Sequence, residues 1–391
     1  MSVFWLALGA FAIGTEAFVI AGLLPAIAAD VQISAAAAGQ LVTAYALAYA
    51  IGSPILAVTL NNIDRRTVLT LALSVFIVGN LLAMAAWNFP LLLASRIVMA
   101  LGAGLCMPTA IGVSVAVASP ERRGRAVALV TSGITVATVI GVPFGNVIGS
   151  LLGWRATFAM VALLGLIALA GLAFGLPRGL PRSTASLAER LAVARHRAVL
   201  TALAITILWA VGGFTVFTYL AIPLHQQLGF DASGVSLALF AFGSAAAIGN
   251  MTGGLMADRI GATSTAALGL AGMASALILQ SFALKYAAPD QAGHLVLLLI
   301  FLWGISGWAF YPPQIASLIH INPQASAIAL SLNASAMYLG FAIGGATGGL
   351  VLSTASPTDL GWVGGTSVAT ALAVHLFRSR RERLNPYKIA G

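Results

Sequence analysis

Long apolar runs follow one another with almost no interruption by charge, and this pattern decides the class of the chain before any motif is read. A membrane-crossing helix needs about 20 mostly apolar residues. Reading from one polar or turn-rich break to the next gives twelve such runs, at 3–28, 35–60, 67–87, 90–117, 126–150, 155–176, 198–224, 233–257, 263–284, 293–318, 326–350 and 360–378. Only 19 Lys and Arg and 10 Asp and Glu are spread over 391 residues, 7% of the chain. A soluble domain carries about 25%, so a water-facing surface cannot be assembled from this composition. Disorder is excluded for the opposite reason, because apolar residues dominate. The runs do not alternate polar with apolar residues, which argues against barrel strands. The predicted fold class is an all-α membrane protein with twelve transmembrane helices.

The basic residues orient these helices. With the N-terminus in the cytoplasm, 16 of the 19 fall on inner loops or the tail: Arg65, Arg66, Arg122, Arg123, Arg125, Arg178, Arg182, Arg190, Arg195, Arg197, Arg259, Arg378, Arg380, Arg381, Arg383 and Lys388. Arg155 and Lys285 fall outside and Arg96 within a span. Both termini are therefore expected in the cytoplasm, and the net charge of +9 reflects topology rather than nucleic-acid binding. No cleavable signal peptide is read, because the first residues lack positive charge and run directly into a long span.

The chain also reads as a duplication. Its longest inner loop separates six spans from six. The expected division is a first bundle over 1–177, a cytoplasmic linker over 178–197 with a short surface helix, and a second bundle over 198–391 ending in a basic tail. Asp64-Arg65 follows span two and Asp258-Arg259 follows span eight, 194 residues later. Pro108 and Pro120 around span four match Pro312 and Pro323 around span ten at offsets of 204 and 203. Two similar halves in the same orientation imply a pseudo-two-fold axis along the membrane normal, with a binding site between them near the midplane.

Several motifs carry a resemblance. Gly254-Leu255-Met256-Ala257-Asp258-Arg259-Ile260-Gly261 follows span eight, and Asp64-Arg65-Arg66 follows span two, with Leu60 and Thr67 at the glycine positions. Arg96 is followed by Gly102 and Gly104, and span five holds Gly133 and Gly141-Val142-Pro143-Phe144-Gly145. Span one holds Gly14-Thr15-Glu16-Ala17-Phe18 and Gly22-Leu23-Leu24-Pro25. Over essentially its whole length the chain resembles the major facilitator superfamily. More narrowly it is similar to the twelve-helix drug:proton antiporters, in the branch of sugar-efflux, nucleoside-efflux and chloramphenicol-resistance proteins. In that branch the span-one acid often sits one place later, at the position of Ala17. The resemblance implies two pseudo-symmetric six-helix bundles, alternating access and a bacterial inner-membrane location.

Glu16 is the only acid well inside a predicted span. A carboxylate at membrane depth is costly and functional by default. It is read as a proton-coupling or cation-binding group, against the plainer reading of a static, protonated helix contact. Arg96 must pair, line water or snorkel to the outer interface, and it is assigned to the same coupling set. Asp30, at the outer end of span one, joins as a weaker relay candidate beside simple solvation. The gating set is Asp64, Arg65, Gly141, Pro143, Gly145, Gly254, Asp258 and Arg259. Glycines allow close helix approach, proline bends a helix, and the loop carboxylates can cap a neighbouring helix while Arg259 pairs across an interface that locks one state. Span eleven carries a glycine-rich counterpart at Gly340, Gly344, Gly345, Gly348 and Gly349. Cavity candidates are Tyr45, Tyr49, Phe214, Phe217, Trp303, Tyr311, Asn333 and Tyr338, since aromatics with a few polar groups suit an amphipathic ligand.

No pair among His196, His225, His294, His320 and His375 has metal-ligand spacing, and Cys106 stands alone. No Walker motif points to ATP, and no nucleophile–base constellation points to an enzyme. No cofactor is expected. The expected partners are a small-molecule substrate, protons and membrane lipid, with no nucleic acid and the chain acting as a monomer. The leading expectation is proton-antiport export of a drug, sugar or nucleoside. A proton-independent facilitator or importer is the alternative, and a non-transporting membrane sensor a remote one.

Overall fold

The computed structural model describes residues 2–177, 180, 187–321 and 323–384. Arg178, Arg182 and Lys388, and the side chain of Arg383, lie outside what is described. Among the described residues every regular element is helical. Twelve helices are long and apolar enough to cross a membrane: Val3–Asp30, Ala35–Thr59, Arg65–Met84, Phe89–Val117, Pro120–Leu152, Trp154–Gly175, Arg197–Phe217, Ala232–Ile260, Ala262–Tyr286, Gln291–Ile321, Ser326–Thr354 and Pro357–Arg381, hereafter spans one to twelve. All twelve predicted runs have a counterpart, and most boundaries agree within a few residues.

The breaks are chemically defined. A helix start leaves backbone N–H groups without partners, and a side-chain oxygen can take them. Ser34 accepts from the Ala37 N–H at 3.1 Å, Asn88 from Leu91 at 2.9 Å, and Asp231 from Gly234 at 2.8 Å. Asp64 accepts from Arg66 and Thr67 at 3.1 and 3.3 Å, so it caps its own helix, span three, rather than a neighbouring one. Gly153 and Gly261 turn the chain at φ of +86° and +88°, a region closed to residues with a Cβ.

Prolines account for the departures. Span seven was expected to reach residue 224 but ends at Phe217, and a separate helix follows over Ala221–Leu228. Pro223 has no N–H to give the Tyr219 carbonyl, so the ladder loses a bond at this break. In span ten, Pro312 and Pro313 interrupt the ladder after Ala309, while Phe310 keeps helical angles of −67° and −32°. In span five the turn over Ala137–Gly141 is a π-helix, in which Val142 donates to Ala137. Pro143 follows immediately; widening the turn accommodates its ring.

The chain packs as two compact units: Met1–Leu187 together with Thr218–Gly243, and Ala188–Phe217 together with Ser244–Gly391. In the first unit span one packs on five and six, span three on four and six, and span two on four. In the second, span seven packs on eleven and twelve, and span nine on ten and twelve. Gly249 and Gly253 seat span eight on the backbone of Ile305 and Ala309 in span ten. The same neighbour relations thus recur six spans later, as a duplication requires. A linker helix, Leu187–Arg195, buries Val193 against Val199, Ala202, Leu318 and Ala329 in the second unit.

Close approach through glycine holds the first unit's centre. Gly133 of span five faces the Ala7 carbonyl and Ala10, Gly14 of span one faces Ile134 and Ala137, Gly141 faces Thr15, and Gly145 faces Val19. In span eleven, Gly340 and Gly344 approach the backbone of Ile207 and Val211 in span seven in the corresponding way. Gly254 differs from expectation: a Cβ there would meet nothing within 4 Å, and Gly253 is the packing residue. Gly141→Val should therefore cost about 1–3 kcal/mol through overpacking, while Gly254→Ala should stay within about 0.5 kcal/mol of wild type. Thermal unfolding in detergent checks both, and equal losses would contradict the seam.

Candidate functional site

Glu16 and Arg96 come together. Both side chains are 0% exposed, and Arg96 Nη1 forms an ion pair with Glu16 Oε1. Burial overturns the snorkelling alternative for Arg96. Span one brings the acid and span four the base; Thr15, next to Glu16, is the residue that Gly141 admits against span five. The glycine seam therefore fixes the height and rotation of the acid. The guanidinium has further partners: Nε donates to the Leu41 carbonyl at 3.3 Å, Nη1 reaches the Met99 sulfur at 3.7 Å, and Cζ stands 4.4 Å from the Tyr45 ring centre. Tyr45, a cavity candidate, is thus a neighbour of the ion pair, and Tyr49 lies against Gly104 of span four. Two charges so deeply buried need compensation, and each supplies a large part of the other's.

Asp30 lies apart from this pair. Its carboxylate accepts from Arg155 Nη1 at 2.7 Å and Trp154 Nε1 at 3.2 Å. Arg155 Nη2 also donates to the Ala86 carbonyl at 2.8 Å, and its guanidinium stacks on Trp154 at 4.2 Å. Three breaks in the chain, after spans one, three and five, are clasped by one arginine. The charged partners are 40% and 45% exposed, so this clasp is partly solvated.

The remaining cavity candidates form two aromatic groups in the second unit. Phe214 stacks on Phe341 with centres 3.5 Å apart; Phe217 stands 5.4 Å from Phe214 and edge-on to Trp303 at 6.4 Å. Tyr338 meets Phe341 edge-on at 5.2 Å. Tyr311 belongs to the other group, stacked on Trp209 at 6.0 Å beside Trp308. Asn333 sits in a buried polar junction. Its Oδ1 accepts from Thr206 Oγ1 at 2.7 Å, and Gln314 Nε2 donates to the same Thr206 oxygen at 3.0 Å and to the Ala202 carbonyl at 2.7 Å. Sequence reading missed Thr206, Trp209, Gln314 and Phe341. The first and third were findable as polar side chains within apolar runs, the signal that identified Glu16.

Of the gating set, Gly141 closes the π turn, Pro143 and Gly145 follow it in the α-helical stretch Val142–Leu152, and Arg65 lies over Gly112 of span four. Asp258 and Arg259 are exposed at the end of span eight, and neither has an ion-pair partner among the described residues. The two ion pairs differ sharply in environment. Arg96→Met should cost about 3–5 kcal/mol, because it strands a buried acid, whereas Asp30→Asn should cost less than about 1 kcal/mol, as surface pairs do. Unfolding of the two variants in parallel tests this, and a larger loss in Asp30→Asn would refute the ranking.

Comparison with known proteins agrees with this architecture. The Major Facilitator Superfamily family model matches twice, at residues 6–233 and 202–390, and together the matches cover nearly the whole chain. The chain is 36% identical to the uncharacterized MFS-type transporter YbcL of Bacillus subtilis, covering 96% of this chain and 94% of that one. It is 33% identical to the inner membrane transport protein YdhP of Escherichia coli K12, covering 97% and 95%. Among solved structures, a D-xylose-proton symporter superposes with a TM-score of 0.80 at 18% identity, covering 95% of this chain and 96% of that one. A bacterial homolog of the human lysosomal transporter Spinster, inward-facing and occupied, gives 0.79 at 18% identity, covering 97% and 96%. With this fold and these relatives, the chain belongs to the Major Facilitator Superfamily and is a multi-pass membrane transporter.

Proposed function

We propose that the protein is a secondary active exporter in the bacterial inner membrane, with both termini cytoplasmic, that moves a small molecule outward in exchange for protons. The observation that carries this reading is the Glu16–Arg96 pair, a titratable acid and a fixed cation both sealed from water. An acid that must trade between a proton and a guanidinium is a switch with two defined states. As the bundles over 1–177 and 198–391 rock, Glu16 releases its proton on one side and regains it on the other. Inward movement of one charge across 100 mV is worth about 2.3 kcal/mol, which sustains roughly a fiftyfold gradient of a neutral cargo. The aromatic groups around Phe214 and Tyr311, with the Asn333 junction, suit a neutral or cationic cargo with an apolar face. The glycine seam of span five supports a role as the gate that prevents leak.

The test uses purified protein in liposomes with a trapped pH dye. Chloramphenicol, arabinose and inosine stand for the drug, sugar and nucleoside classes. At least one should trigger proton flux in wild type, and that flux should fall to background in Glu16→Gln. Cargo movement with no proton flux under either imposed gradient would replace antiport by facilitated transport. Flux preserved in Glu16→Gln would remove the coupling role from this residue.

A further inference from the structure

Span two gives the Arg96 guanidinium two contacts one helical turn apart, the Leu41 carbonyl and the Tyr45 ring. Leu41 is fully buried and Tyr45 is 2% exposed. A guanidinium is flat, so it stacks its face on a ring while its edge makes hydrogen bonds. The ring and the Glu16 carboxylate are separate contacts of the same cation.

We propose that Leu41 and Tyr45 form a cradle on span two that holds the Arg96 guanidinium in place whether Glu16 is charged or neutral, with Tyr45 as the positioning residue. The inference deepens the reading of Glu16 as the proton-exchanging acid and rests on it for its consequence. When Glu16 takes a proton, the charge opposite Arg96 disappears, and a buried cation left without compensation is strongly unfavourable. A carbonyl dipole and a π face are compensation that no proton at Glu16 removes. The proton then moves while the arginine stays where it is, and the pair re-forms without a search.

Other titratable groups on the elements around span one are engaged or distant. Tyr49 lies against Gly104, and Cys106 is about 15 Å further along span four from Arg96. Arg155 is committed to Asp30, and the His225 ring to the Phe230 carbonyl. Glu121, Arg123 and Arg125 are exposed at the start of span five. None of these can substitute for Glu16 when it is neutral.

Phenylglyoxal, an arginine-selective reagent, with peptide mass spectrometry reads the cradle without any transported molecule. Arg96 should stay unmodified in wild type, in Glu16→Gln and in Tyr45→Phe, which keeps the π face. Tyr45→Leu should raise its modification rate by about tenfold, as loss of a desolvated cation–π contact predicts, and the double variant with Glu16→Gln should raise it further. Arg155 serves as the internal standard for an intact bundle. If Tyr45→Leu also raises Arg155 reactivity, the isosteric Glu16→Gln variant decides alone: Arg96 protected upholds the cradle, and Arg96 exposed overturns it. An unchanged Arg96 in Tyr45→Leu also overturns it. The same Glu16→Gln protein goes into the flux assay. Loss of flux with Arg96 protected supports both readings, flux retained with Arg96 protected defeats only the coupling role, and loss of flux with Arg96 exposed defeats only the cradle.

Discussion

Helices surrounded by lipid gain no hydrophobic drive toward one another, because hydrocarbon tails are as apolar as leucine. Close backbone approach has to supply the attraction instead, and in this protein it does so through glycine. Gly14, Gly133, Gly141 and Gly145 bring spans one and five together, and Gly340 and Gly344 do the same for spans seven and eleven. Everything chemically specific in the first unit hangs on that seam. It sets the rotation of span one, and the rotation decides whether residue 16 meets span four or lipid.

The ion pair is the second tier. Its two charges gain strongly from each other because water is absent, and the same absence makes either one costly without compensation. Compensation is layered: a carboxylate, a carbonyl, a sulfur and a ring all meet one guanidinium. At the clasp between Asp30 and Arg155 the geometry is as good, yet solvent shares the work. Two pairs with similar chemistry therefore have different standing, set by depth.

Much of this was legible from residue order. Apolar run length located all twelve spans, since lipid thickness dictates helix length. Glu16 and Arg96 could be singled out because charge inside a span is rare. Their contact could not be read, because it depends on how span one turns against span four, which the glycine seam settles in three dimensions. Gly254 illustrates the opposite limit: its motif was plain, but the packing glycine is its neighbour Gly253, a difference of one helical position. The early end of span seven lies just before Pro223, whose missing donor removes one ladder bond within a continuous apolar run. The Thr206–Gln314–Asn333 junction draws on three separate spans, and no linear spacing encodes it.

The π turn in span five has a consequence for sequence variation. Val142 gives its N–H to Ala137, and Pro143 has none to give, so the Thr138 carbonyl lacks both its α-type and its π-type donor. Gly243 of span eight, packed within the same unit, brings its Cα to that carbonyl so closely that a Cβ would collide with the oxygen. A Cα–H is a weak donor, but one of the few available inside a bilayer. One residue thus removes a donor from a helix and another, 100 positions later, offers a substitute. The two positions should drift together in related chains: where the proline is lost, the carbonyl regains its own helix, and the distant glycine is released to become something larger.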